Sequence, residues 1–173
     1  HTINGALSIN ENNIQFDGGR GYIEKDWGRS FPSAYIWIQS NHFEQPGVSL
    51  MASVAKIPWL RKFFRGFIIG LFIDNKLYRF TTYNGARLNY LRLNDFQVQL
   101  QVSDKKYILN IEARRSEGGL LHAPYRNHML TRISETLSSQ VKIELFQKLK
   151  NSSQLIFSGV GNPAGLDVNG MLK

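Results

Sequence analysis

Between Tyr22 and Trp27 the chain sets two carboxyl groups, an ammonium and an indole within six residues, Tyr-Ile-Glu24-Lys25-Asp26-Trp27. On an extended strand Tyr22, Glu24 and Asp26 project to one side while Ile23, Lys25 and Trp27 project to the other, so the two carboxyls become neighbours. Like charges held together in a partly dry place resist joint ionisation. One carboxyl then keeps its proton to higher pH and becomes available as a general acid. The plainer reading is an exposed pair offset by surface cations. A turn across Gly28 to Pro32 leads into a second strand, with Tyr35, Trp37, Gln39 and Asn41 on one face and Ile36, Ile38, Ser40 and His42 on the other. If Tyr35 and Trp37 line a cavity, their π faces can stabilise a carbocation in a site that excludes water. Trp27 and Trp37 can equally be core aromatics, and His42 a hydrogen-bonded structural residue.

The elements that must position these groups read as strands. Residues 96 to 102, FQVQLQV, alternate Phe96, Val98, Leu100 and Val102 against three glutamines, the period of a half-buried antiparallel strand. GVSLMASVAKI, GFIIGLFIDNKLYRFTTY, KYILNIEARR and SQVKIELFQKL follow the same logic. Turn signals punctuate them at Asp74-Asn75-Lys76, Ser103-Asp104-Lys105 and Asn151-Ser152-Ser153. NHMLTRISETLSSQ has room for a helical turn or two, but Thr131, Ile133 and Thr136 are β-branched and favour strand. Sequential antiparallel strands must hide their edges. Closure into an up-and-down, lipocalin-like β-barrel does so and leaves an interior for one small ligand. The expected fold is therefore an all-β antiparallel lipocalin-like barrel over residues 1–173, with a two-sheet β-sandwich as the alternative.

Composition narrows the function classes. The chain has 173 residues, 42% hydrophobic and 12% aromatic, with no cysteine, so neither a disulfide framework nor a thiolate metal site is available. His122 and His128 lie six apart in HAPYRNH, which matches no metal-ligand spacing, and no metal is expected. Asp17-Gly18-Gly19 and Gly118-Gly119 read as turns, since neither opens a helix that could hold a phosphate. No nucleophile elbow is visible. The net charge of +8 and pI near 9.8 would suit a polyanion, but there is no aromatic RNA-binding motif, zinc spacing or long basic helix, and nucleic acid is not expected. The densest basic cluster, KIPWLRKFFRG at 56 to 66, interleaves cations with aromatics. As a helix it would set Trp59, Leu60, Phe63, Phe64 and Phe67 opposite Arg61, Lys62 and Arg65, the pattern of a membrane-surface segment. As a short connector it would cap the barrel end. No apolar run reaches the length of a spanning helix and the first residues lack a signal-peptide pattern, so a cytoplasmic or peripheral membrane location is expected.

The stretch GGRGYIEKDWGRSFPSAYIWIQSNHF, followed by LYRFTTYNGA, YILNIEARRSEGGLLHAP and GVGNPAGLDVNG, resembles the tocopherol cyclase family. In that family a G-Y-x-E-K-[ND]-W-G-x-x-F-P motif precedes an aromatic strand ending W-x-Q-x-N. The resemblance spans nearly the whole chain, but only the C-terminal half of the family's length. It implies a second lipocalin-like barrel preceded by an N-terminal half, which fits a chain opening on His1 rather than Met. That half would be this domain's intramolecular partner, and the fragment alone would tend to self-associate. The implied activity is a cofactor-free cyclisation of a prenylated quinol: an acid protonates the alkene and the phenol oxygen traps the tertiary cation. On this chain it implies Glu24 or Asp26 as proton donor, Trp27, Tyr35 and Trp37 as cavity aromatics, and Gln39, Asn41 and His42 as polar groups orienting the quinol. A family protein that carries or senses an isoprenoid without converting it is the non-enzymatic alternative.

Overall fold

Alternating apolar residues account for most of the ordered chain. In a computed structural model of the protein, all residues are described except 26, 28, 29, 126, 127, 171 and 173, with residues 125 and 130–132 described by their backbone alone. The first elements are short: β1 (Thr2–Ile3) pairs β4 (Gly19–Arg20), and β2 (Ala6–Ile9) pairs β3 (Asn12–Gln15). They form small exposed ribbons. The body of the molecule is one large antiparallel sheet made of β5 (Tyr35–Ser40), β6 (Ser49–Trp59), β7 (Lys62–Ile73), β8 (Lys76–Thr81), β9 (Arg87–Leu93), β10 (Gln97–Ser103), β11 (Tyr107–Arg114), β12 (Gly119–Tyr125), β13 (His128–Lys148) and β14 (Ser153–Asn169). Its strands lie in the order β8-β7-β6-β5-β14-β13-β11-β10-β9, with β12 also on β13.

The turns form where side chains can serve them. Asp74 and Asn75 both take positive φ, 48° and 61°, between β7 and β8, as a two-residue hairpin with right-handed strand twist requires. The Asp104 carboxylate accepts the Lys106 and Tyr107 N–H groups at 2.7 Å, starting β11. Asn94 does the same for Phe96 and Gln97 at 2.9 Å. That cap starts the strand one residue later than expected: Phe96 lies in the turn and is 80% exposed, while Val98, Leu100 and Val102 are fully buried.

One face of the sheet carries the core. Ile36 and Ile38 of β5, Leu50 and Val54 of β6, Ile69 and Leu71 of β7, Phe80 of β8, Val98 and Leu100 of β10, Leu109 and Ile111 of β11, and Ile143 and Leu145 of β13 belong to one apolar cluster. Strands about 4.8 Å apart would separate the two edges of this sheet by about 40 Å if it were flat. A shared cluster therefore requires the sheet to bend over on itself. β13 supplies part of that bend: its register with β14 shifts twice between Thr136 and Val141, and such bulges increase local twist. The bulged stretch is tied by hydroxyls, Ser116 Oγ lying 2.8 Å from Thr136 Oγ1. Among the described residues no pairing joins β8 to β9. The enclosed face is packed with side chains. The expectation of a ligand-holding interior is not met, because large apolar residues from both sides of the bend occupy that space.

Candidate active site

Strand β5 decides which residues can do chemistry. Ile36, Ile38 and Ser40 point into the packed core, each with at most 1% exposure, so Tyr35, Trp37 and Gln39 take the opposite face. The sequence expectation that the two aromatics line an interior is therefore corrected: parity carries them to the outer face, since the isoleucines claim the inner one. Pairing register then brings an acid to them. Asp167 of β14 sits directly across from Trp37 on one side and from Glu135 of β13 on the other. Residues facing each other in an antiparallel pair hold their Cβ atoms about 5 Å apart. Two carboxyl groups and an indole thus lie in one row.

Asp167 is only 5% exposed. Its Oδ2 accepts a hydrogen bond from the Tyr35 hydroxyl at 2.7 Å, and its Oδ1 is buried with no partner among the described residues. Burial pushes the Asp167 carboxyl above the ordinary carboxylate range; the Tyr35 hydrogen bond opposes that shift, and the charge of Glu135 adds to it. Tyr35 is itself held well above an ordinary phenol, first by burial and then by its bond to Asp167 and that carboxylate's charge, with the Asn169 side chain pulling the other way. The outer face of β5 holds a second buried polar atom without a partner among the described residues, the Gln39 amide nitrogen. One is an acceptor or acid and the other a donor.

The segment before β5 lies across this face. Phe31 donates its N–H to the Pro124 carbonyl at 3.3 Å and sets its ring edge-on to Tyr35, centroids 5.7 Å apart. Glu24 reaches over from the same segment: its carboxylate accepts the Trp37 indole N–H at 3.1 and 3.2 Å and the Tyr22 hydroxyl at 2.6 Å. Residues 21–25 do this without being a strand, and the Tyr22 and Glu24 side chains meet all the same. Asp26 lies outside the described residues.

The other expected residues divide. Trp27 is 86% exposed and touches none of this cluster's polar groups among the bonds described. Asn41 turns away, donating from Nδ2 to the Arg20 carbonyl at 3.3 Å and tying the N-terminal ribbons to the sheet. β5 ends at Ser40, so His42 is not on the strand; its side chain is exposed and its N–H donates to Ser40 Oγ. Residues 56 to 66 are the end of the β6–β7 hairpin and not a helix: Pro58 faces Phe63 and Trp59 faces Lys62, with Leu60 at φ 53° in the turn. Trp59, Arg61, Lys62, Phe63 and Arg65 are exposed there, and Phe64 is half-buried.

A match to the tocopherol cyclase-like family covers residues 2–170. The chain belongs to that family. It is 27% identical over 167 residues to the chloroplastic tocopherol cyclase of Zea mays, and 25% identical over 167 residues to a probable chloroplastic tocopherol cyclase of Oryza sativa subsp. japonica. Each alignment covers 91% of this chain and 35% of the relative, so the chain spans about a third of the length of the curated relatives it matches. No solved structure matches it. Among the described residues no helix is long and apolar enough to cross a membrane.

Asp167 and Glu135 were missed by sequence reasoning. Along Ala164-Gly-Leu166-Asp-Val168 the polar residue holds the outward parity, which ordinarily means solvent. What it meets there is Tyr35, more than a hundred residues earlier, on which Phe31 packs in turn.

Proposed function

We propose that this chain contributes the acid site of a tocopherol cyclase-like isomerase, which closes a prenylated quinol without a cofactor. The observation that carries this reading is the buried Asp167 carboxyl, with one oxygen held by Tyr35 and the other facing no partner among the described residues, beside the Trp37 indole. A carboxyl whose proton is retained by desolvation is the group that alkene protonation requires. In the proposed step the Asp167 O–H bond breaks and its proton forms a C–H bond with the less substituted alkene carbon, leaving a tertiary cation. The Trp37 ring lies where it can face that charge. The phenol oxygen then bonds to the cation and its proton returns to the carboxylate, so the acid is regenerated and nothing is oxidised or reduced.

Tyr35 orients Asp167, Gln39 offers its unpartnered amide to a quinol oxygen, and Glu24 fixes the indole from the exposed side. The proton donor is thereby moved from the Glu24–Asp26 stretch to β14. The test is product formation from a prenylated benzoquinol by the full-length protein. Asp167→Asn is expected to lower the rate on the order of 100-fold or more, and Glu24→Gln to act more weakly. Full activity in folded Asp167→Asn protein would end this assignment. Because the acid form is the active one, the rate should fall as pH rises through the raised Asp167 pKa.

A further inference from the structure

The end of the β6–β7 hairpin is the most exposed apolar feature of the large sheet that also concentrates charge. Leu60 is 94% exposed, Trp59 66% and Phe63 55%. The last tightly buried rungs beneath them are Val54 with Phe67 and Ala55 with Gly66. From Ala55 to Trp59 the strand extends four residues past that core, about 13 Å at about 3.3 Å per residue. The cations are arranged along the same projection. Arg61 shares the turn with Leu60, Lys62 faces Trp59, and Arg65 lies three rungs back, opposite Lys56. Lys56 places its ammonium 3.7 Å from the centre of the Phe63 ring, an aliphatic stem laid along the hairpin with its charge carried by an aromatic face.

We propose that this hairpin end is a membrane foot that seats the protein on an anionic lipid bilayer, with Trp59, Leu60 and Phe63 entering the headgroup boundary. The surface is a narrow, convex tip. A stable protein partner would need a patch of about 800 Å² per side, which a two-residue turn with its flanking rungs does not present, whereas a bilayer needs only a few apolar side chains and a collar of cations. The charge pattern selects the lipid: from the tip back to the Lys56–Arg65 rung every ionisable side chain is positive. No carboxylate lies within that stretch to repel an acidic headgroup. This assignment goes beyond the proposed reaction and does not depend on it. It does set Tyr35, which pairs with Ala55 at the base of the projection, one hairpin length from the surface.

The experiment is co-sedimentation of the full-length protein with vesicles of phosphatidylcholine alone or mixed with phosphatidylglycerol, at about 0.1 M salt where exposed charges still act over about 10 Å. Binding to the mixed vesicles is expected to exceed binding to phosphatidylcholine at least about tenfold, from the contribution of several basic residues. Trp59→Ser with Leu60→Ser should reduce it by at least about tenfold, and Arg61→Glu with Lys62→Glu by a similar factor. Both pairs alter exposed side chains only, and an unchanged unfolding midpoint verifies the fold. Absence of binding to anionic vesicles overturns the proposal, as does wild-type binding in both variants. A tip-dependent dimer in sedimentation velocity, without vesicle binding, overturns it in favour of a second copy of this chain.

Discussion

The two faces of β5 share one backbone and one set of neighbouring strands, yet they hold opposite chemistry. Toward the core stand Ile36, Ile38 and Ser40, and the one hydroxyl among them is satisfied, donating to the Pro163 carbonyl at 2.8 Å. Toward the outside stand Tyr35, Trp37 and Gln39, ranged beside Asp167, and here two buried polar atoms lack partners among the described residues. Backbone propensity is common to both faces and cannot explain the contrast. The difference comes from what covers each: side chains from across the bent sheet on one side, a single irregular segment on the other. A face sealed by many strands can be wholly apolar, while a face covered by one polar strap leaves acids dry but incompletely bonded. Stability should therefore reside on the inner face and chemistry on the outer.

The contrast breaks first if the inner face tolerates truncation. Ile38 is fully buried within the apolar cluster, and Ile38→Ala should lower the unfolding free energy by about 3 kcal/mol in urea, the usual range for a buried isoleucine being about 2–5. A loss below about 1 kcal/mol would mean that the core is loosely packed. On the outer face Tyr35→Phe deletes the one hydrogen bond described for Asp167 and leaves both carboxyl oxygens buried without a partner. That should cost about 1–3 kcal/mol, measured by the same denaturation at neutral pH.

What could be read in the residues beforehand was periodicity, and what could not was pairing. The alternation Val98, Leu100, Val102 assigns both a strand and its buried side, because a period of two with glutamines between leaves no other face for the apolar set. The all-β class and the antiparallel hairpins follow from such runs and from Asp74-Asn75 and Asp104 in the turns. Tyr35 and Trp37 were legible as functional candidates, but their direction was not, since parity separates two faces without saying which is enclosed. Asp167 was illegible for a deeper reason. Its burial depends on β14 lying beside β5, a contact over 132 positions in the chain, and no local pattern encodes it. Glu135 was hidden likewise: in Ser134-Glu135-Thr136 nothing marks the glutamate until register sets it opposite Asp167.

A subtler comparison uses protons. Asp167 has its carboxyl pKa raised from an ordinary 3.8, chiefly by burial, so the folded state keeps a proton that the unfolded chain has released. Stability is then greatest below about that value and declines as pH rises through the raised pKa, after which it levels off. Asp167→Asn should remove this decline, seen as a flatter plot of unfolding midpoint against pH above 4. Tyr35 adds a second window: its hydroxyl is raised from 10.0, so stability should fall again as pH rises above about 10, and Tyr35→Phe should abolish that fall. No inner-face residue of β5 can produce either slope.

The smallest effect concerns the strap itself. Glu24 is exposed, and its bonds from Trp37 at 3.1 and 3.2 Å and from Tyr22 form where water competes for every partner, so Trp37→Phe should cost less than about 1 kcal/mol globally. Locally the consequence is larger, because the indole is the bond described between residues 21–25 and β5. Freed from it, the exposed Lys25 should be cut by trypsin several-fold faster while the global midpoint stays nearly constant, since cleavage reports local opening when the rest remains folded. An unchanged cleavage rate would show that Phe31, bonded to Pro124 and packed on Tyr35, holds the strap alone. In that case what keeps Asp167 dry is anchored next to the acid itself, and the glutamate of the motif answers to the substrate side.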